Sequence, residues 1–278
     1  MSDAVTEGID VENVASWLYK HVSGVNPPLK YQLIAGGHSN LTYRVEDQEE
    51  NLYVLRRPPL GHVLATAHDM AREHRIISAV GNTDVPVPPT LGVCEDDEVN
   101  GAPFYVMEYV DGEVLHSDAE ATLVPVSERM DLSRQVVEVL AELHAIEPED
   151  IGLGDLAKRE DYLGRQLRRW SRQWEQSKTR ELEAMEEVQD LLERRKPEQI
   201  GSTIVHGDYR LGNMLTRSGR ILAVLDWELC TLGDPLADVG YLLNNWVEPD
   251  EAPAGSSAPT LAGGFASREE LMLSLIHI

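Results

Sequence analysis

The chain has 278 residues, 42% of them hydrophobic, with 48 acidic against 24 basic side chains and a formal charge of −24. That length can bury a substantial core in one large domain or two lobes. A surface so acidic repels phosphate backbones and anionic bilayers, which argues against nucleic acid or membrane as a general partner.

The basic residues are 19 Arg and 5 Lys, and an acidic, Lys-poor composition resembles that of proteins from salt-loaded cytoplasm, where screening weakens self-repulsion. Cys94 and Cys230 sit in apolar surroundings without paired spacing and read as buried free thiols in a reducing compartment. The N-terminus has no basic start followed by an apolar run, and no segment reaches bilayer-spanning length, so a cytoplasmic protein is expected.

Asp10 predicts a cap for a helix in which Val11, Val14, Ala15, Leu18 and Val22 recur at helical spacing, ending near Gly24. Residues 30–35, 41–46 and 51–57 read as three strands, with Gly36, Gly37, His38, Ser39 and Asn40 at the first turn. The third strand ends in Arg56 and Arg57, and alternation lets only one of them face a cleft. The helix expected over 69–80 places Glu73 with Ile76, Ile77 and Val80 on one side. A carboxylate among apolar neighbours needs a cation, and Arg56 is the obvious one. Pro86, Pro88 and Pro89 end that region. Strands follow over 90–95 and 103–110, joined by a loop ending in the hairpin signal Asn100-Gly101.

Beyond Gly112 the helical period dominates. Ser127 predicts a cap for a helix whose buried stripe is Leu132, Val136, Val139, Leu140 and Leu143, with His144 as a core or helix-terminal residue. The helix from Asp161 to about Lys178 carries an apolar stripe, Leu163, Leu167, Trp170 and Trp174, opposite Arg165, Arg168, Arg169 and Arg172. That basic patch could attract an anionic substrate such as a coenzyme A thioester. The expectation is instead a solvated face, paired in part with Glu160, Asp161 and Glu175. Another charged helix spans 181–195.

The chemistry concentrates in Ile204–Glu228. Ile204 and Val205 lead into His206-Gly207-Asp208, Asn213 follows five residues after Asp208, and the apolar run 221–225 delivers Asp226. Phosphoryl transfer needs a carboxylate to orient or accept the proton of the attacking hydroxyl, and oxygen ligands for magnesium. Asp208 suits the first role; Asn213 and Asp226 suit the second. Downstream, Asp234 and Pro235 open a helix containing Asp238, Val239, Leu242 and Leu243. Residues 250–264, rich in Ala, Pro, Gly and Ser, read as a flexible loop, and Ser267-Arg268-Glu269-Glu270 is a capping box.

HGDYRLGN and LDWELCTLGDPLADVGYLL resemble the aminoglycoside phosphotransferase and choline kinase superfamily, more narrowly the kinase domains fused to acyl-CoA dehydrogenases, over about residues 30–247. His-Gly-Asp in place of His-Arg-Asp, and Asp226-Trp227-Glu228 in place of Asp-Phe-Gly, separate it from protein kinases. The resemblance implies an α+β, two-lobed, protein-kinase-like fold: a small antiparallel-sheet nucleotide-binding lobe over 1–111 and a mainly helical catalytic lobe over 112–272.

It implies ATP and Mg2+ as cofactors and a small-molecule hydroxyl as acceptor. Asp208 would be catalytic, with Asn213 and Asp226 on metal. Gly37, His38, Ser39 and Asn40 would lie over the phosphates. Arg56 stands where the family has Lys and would contact phosphate, set by Glu73, although the two cations are not interchangeable. Glu108, Tyr109 and Val110 would form an edge-strand adenine segment, and Asp238 would brace the catalytic loop, with His206 supporting it.

The preferred acceptor is a hydroxyacyl-CoA or hydroxy acid; an aminoglycoside or choline-type acceptor and a nucleotide-binding pseudokinase are the alternatives. The last residues, 273–278, break the amphipathic pattern and resemble the translation of a sequencing-library transposon end. They are read as a non-native tail on an incomplete helical lobe.

Overall fold

The computed structural model describes residues 6–35, 40–61, 69–253 and 255–277. Helix α1 (Val11–His21) starts where Asp10 predicts, the carboxylate accepting from the Asn13 N–H at 3.1 Å. Strands β1 (Lys30–Ala35), β2 (Leu41–Glu46) and β3 (Leu52–Arg57) follow, then α2 (Met70–Val80), β4 (Thr90–Cys94), a short α3 (Asp97–Asn100) and β5 (Phe104–Glu108). They form an antiparallel sheet in the order β1-β2-β3-β5-β4.

Two expectations change here. Asn100-Gly101 does not make a tight hairpin turn: Asp96 caps α3, and Gly101, with φ +68, ends it. Asn100 is buried because its side-chain oxygen accepts the Asp10 N–H at 2.8 Å. The strand leading to Glu108 is also interior rather than an edge, since β4 folds back and takes the outer position. Pairing ends at Glu108, so Tyr109 and Val110 lie beyond it.

The sheet buries a different core on each face. Period-two alternation sends Tyr53, Leu55, Phe104 and Val106 toward Val14 and Leu18 of α1. The same alternation sends Val54, Tyr105 and Met107 toward Met70, Ile76, Ile77 and Val80 of α2. This second core runs on into the helical lobe through Leu132, Val136, Leu140, Ile204 and Trp227.

That lobe comprises β6 (Glu113–Val114), α4 (Asp118–Thr122), α5 (Val126–Ala145), α6 (Tyr162–Ser177), α7 (Glu183–Arg195), β7 (Thr203–Val205), β8 (Met214–Arg217), β9 (Arg220–Val224), β10 (Thr231–Gly233), α8 (Leu236–Asn245) and α9 (Arg268–His277). Strand β6 pairs with β8 and β8 with β9, while β7 pairs with β10. Helix α5 buries the whole predicted stripe, but it begins one residue before Ser127, after Pro125 and without a side-chain cap. Among the described residues, no helix is long and apolar enough to cross a membrane.

The segment expected to be a flexible loop is tied down. Buried Arg129 donates to the carbonyls of Ala262 and Gly263 at 2.7 and 2.9 Å, and Thr260 Oγ1 donates to Val247 O at 2.7 Å. Composition pointed to coil; a guanidinium supplying several donors to bare carbonyls supplies the order. Ser267 and Glu270 form the predicted capping box, with bonds of 2.7 and 3.2 Å, and α9 continues through Leu273–His277 with Leu271 buried. Helices α6 and α7 are peripheral: α7 buries no residue, and the apolar stripe of α6 is only half-buried, with Trp170 50% exposed.

Candidate active site

The polar loop after β7 is held by one carboxylate. Asp238, fully buried on the first turn of α8, accepts from the backbone N–H groups of His206 and Gly207 at 2.8 Å each, and His144 Nε2 lies 3.1 Å from it. The imidazole of His206 is also fully buried. Its Nδ1 accepts from the Asp208 N–H at 3.2 Å and its Nε2 lies 2.9 Å from the Leu225 carbonyl, which assigns the proton to Nε2. Burial depresses its pKa, against the opposing pull of Asp238. His206 is thus a neutral splint between the β7 loop and the end of β9. Gly207 has φ +86, and a Cβ there would lie 3.0 Å from Leu229 Cβ and its carbonyl oxygen. Only glycine fits.

These bonds place Asp208. Its Oδ2 accepts from Asn213 Nδ2 at 2.6 Å, and the same amide nitrogen reaches the Asp208 carbonyl at 2.9 Å. Asn213 closes a 3-10 turn (Leu211–Asn213), and its own carbonyl accepts from the Leu225 N–H at 2.8 Å, so the metal candidates Asn213 and Asp226 are stitched side by side. Arg210 Nε lies 3.2 Å from Asp208 Oδ1. Tyr241 presents its hydroxyl to the same carboxylate; burial first, and then Asp208, raise the phenol pKa. Sequence reasoning missed both groups. The available signal for Tyr241 was its position three residues after Asp238 on one helix face.

Asp226 follows β9 with φ +64, a left-handed conformation that Asp tolerates better than most residues. Its Oδ1 lies 2.5 Å from Arg56 Nη2, and Arg56 Nη1 lies 3.4 Å from Glu73 Oε1. Alternation on β3 decides which arginine does this. Arg56 shares the α2 side with Val54, whereas Arg57 turns to the α1 side and donates to the carbonyls of Gly8 and Asn100.

Burial raises the Glu73 pKa, opposed by Arg56. Half-buried Glu228 is pushed up to about 7, first by burial and then by Asp226. Asn40 Nδ2 bonds Glu228 at 3.2 Å and lies 3.5 Å from Glu73, which ties the end of the first turn to this acidic group. Gly37, His38 and Ser39 lie outside the described residues.

A cleft of about 460 Å3 is lined by Asn40, Arg56, Glu108, Tyr109, Val110, Asn213 and Asp226 among others. Glu73 and Asp208 do not line it; they meet it through Arg56 and Asn213. Arg56 Nε is buried without a hydrogen-bond partner among the described residues, an arrangement that suits an oxygen-rich ligand. No three His, Cys, Asp or Glu side chains gather into a metal cage among the described residues. Two oxygen ligands, Asn213 and Asp226, fit magnesium, which is commonly held by one or two protein groups plus phosphate and water.

The profile of the "Phosphotransferase enzyme family" matches residues 30–270. Mouse (Mus musculus) acyl-CoA dehydrogenase family member 10 is 37% identical over 228 residues, covering 81% of this chain but only 21% of that protein. A crystal structure from Ralstonia eutropha, provisionally described as an aminoglycoside phosphotransferase, is 34% identical, with a TM-score of 0.78 over 96% of this chain and 80% of its own. The ternary complex of APH(2″)-IIa with streptomycin and ATP superposes with a TM-score of 0.63 at 20% identity, over 97% of this chain and 81% of its own, a likeness of fold alone. The two-lobed α+β architecture is that of these kinase-like enzymes.

Proposed function

Because the chain belongs to the phosphotransferase enzyme family and is a small-molecule kinase, we propose that it moves the γ-phosphoryl group of ATP to a hydroxyl of a hydroxyacyl-CoA or hydroxy acid. The observation that carries this reading is the stitching of Asp208, Asn213 and Asp226 into one hydrogen-bonded unit at the cleft, with Arg56 across from it. The nucleotide-binding lobe ends near Asp111. Tyr109 and Val110, beyond the paired part of β5, offer backbone groups to adenine. Arg56 binds phosphate, held in place by Glu73.

Asn213 and Asp226 hold magnesium, which supplies charge neutralisation at the phosphates when bound. Asp208 orients the acceptor hydroxyl and takes its proton as the new O–P bond forms. Arg210 and Asn213 occupy the two oxygens of Asp208 and fix its direction. No covalent enzyme intermediate is required. His206, neutral and buried, carries no proton in this scheme. Two free, buried cysteines suit a reducing, cytoplasmic setting.

The acceptor class is favoured by the mouse relative, which is named as an acyl-CoA dehydrogenase family member; this chain spans about a fifth of that protein. An aminoglycoside acceptor is the second reading, favoured by the streptomycin in the structural neighbour and by the charge of −24, which attracts cations. Transfer from labelled ATP across hydroxyacyl-CoAs, hydroxy acids, choline and aminoglycosides separates the two. Turnover confined to the hydroxyacyl compounds supports the proposal, and turnover confined to the cationic acceptors overturns it. ATP binding without transfer to any acceptor would return the pseudokinase.

A further inference from the structure

The arginines of α6 divide into two groups. Arg168 pairs with Asp161 at 2.8 Å, and Arg165 donates to the carbonyls of Lys158 and Leu232. These two are occupied, broadly as a solvated face predicts. Arg169 and Arg172 have no carboxylate or carbonyl partner among the described residues. Both line a cavity of about 900 Å3 walled by α6, α2 and residues 228–231.

Trp170 stands in the same wall with the Arg169 guanidinium 5.5 Å from its ring centroid. From the facing wall Arg72 joins them, anchored by a 2.6 Å bond to the Cys230 carbonyl. The Asp69 carboxylate nearby is engaged in capping α2, accepting from the Arg72 N–H at 2.9 Å. Glu73 and Glu228, neighbours of Arg56 and Asp226, also line the cavity, which sets it beside the catalytic centre.

Like charges converging on one cavity repel each other, and although Asp69, Glu73 and Glu228 also line it, Asp69 caps α2 and Glu73 pairs with Arg56, which leaves Arg169 and Arg172 without a carboxylate partner there among the described residues. Their planar forks match phosphate oxygens. A half-exposed indole with a guanidinium stacked on it offers a platform for a flat ring, which inorganic phosphate would not use. The volume suits an organic ligand of nucleotide size.

We propose that this groove binds the phosphorylated adenosine end of a coenzyme A thioester, so that the acyl chain runs past Glu228 toward Asp208. The inference rests on the hydroxyacyl-CoA reading given above and adds the place where the carrier is recognised.

The test uses adenosine 3′,5′-bisphosphate as probe, titrated calorimetrically into the whole chain with the ATP cleft saturated by a non-hydrolysable ATP analogue. Wild type and Arg168→Glu, which alters charge on the same helix outside the groove, are expected to bind it alike. The double variant Arg169→Glu/Arg172→Glu, at exposed positions, is expected to bind at least about tenfold more weakly, since charge-assisted bonds to phosphate are lost. Arg169→Lys/Arg172→Lys should fall between. No saturable binding to wild type, or equal weakening by Arg168→Glu and the double variant, overturns the groove. Absence of transfer to any hydroxyacyl-CoA, with probe binding intact, instead overturns the acceptor reading while leaving the anion site standing.

Discussion

Replacing Asp238 with alanine removes the clamp that shapes the catalytic loop. The carboxylate receives two backbone N–H bonds at 2.8 Å and faces His144 at 3.1 Å, all in a fully buried position. Bonds to a charged acceptor contribute about 1.5–3 kcal/mol each, and the two N–H groups would be left without partners. Allowing for non-additivity within one network, Asp238→Ala should cost about 3–5 kcal/mol. For a chain of this size that corresponds to a fall in Tm of about 6–20 °C.

Asp238→Asn keeps one acceptor oxygen but turns an NH2 group toward the other donor, so its loss should be intermediate. Urea unfolding gives the free energies, and kcat should fall about 100-fold, because a displaced loop misplaces the reacting groups. Asp238 does not line the cleft, so ATP affinity should be nearly unchanged. A loss below about 1 kcal/mol for Asp238→Ala would refute the reasoning, because a buried donor pair cannot be stripped at so little cost.

Arg56→Met would leave Glu73 buried without its cation and should cost about 3–5 kcal/mol near neutral pH. Burial already raises the Glu73 pKa, so in this variant stability should fall as pH rises through that raised pKa and recover on acidification, as the carboxyl is neutralised; a pH-independent loss would contradict this. Gly207→Ala forces a side chain into a left-handed conformation against Leu229 and should cost at least about 1–3 kcal/mol, with reduced kcat. A variant with unchanged Tm would show that the loop yields freely. His206 should remain neutral at pH 7, with its ring resonances titrating below the ordinary histidine midpoint. Its folded pKa is depressed, so its contribution to stability is complete above the unfolded value near 6.5 and declines below it, by at most about 1.4 kcal/mol per pH unit. Titration of the ring with a midpoint near 6.5 would exclude the splint role.

The parts of this fold that could be read from sequence are those governed by short-range rules. Alternation fixed β1–β3 and the opposite directions of Arg56 and Arg57; Asp10 and Ser267 marked helix starts through caps; and the order of Asp208, Asn213 and Asp226 pointed to a candidate site whose residues the fold brings together. The rest depended on contacts distant in sequence. Strands of two residues such as β6 carry no period. Helix α4, which the structure opens with a Ser117–Glu120 capping box, is only five residues long and was not read. The outer position of β4 is a matter of topology, and composition gave no hint that Arg129 pins residues 262 and 263. Tyr241 became visible as a partner of Asp208 only when α8 was packed on the loop, whereas Arg210 is a near neighbour whose direction an irregular loop does not announce. On α6, periodicity put four arginines on one face, but only tertiary packing separated the two with partners from the two facing the cavity.

The central claim is that Asp208 carries the reaction while the cleft binds the nucleotide without it. The direct measurement is the rate of phosphoryl transfer from labelled ATP by Asp208→Asn, alongside its ATP affinity and Tm. The expected result is a kcat at least about 100-fold below wild type, as for loss of a general base, with nucleotide binding and folding intact. Turnover retained at the wild-type rate would contradict the mechanism.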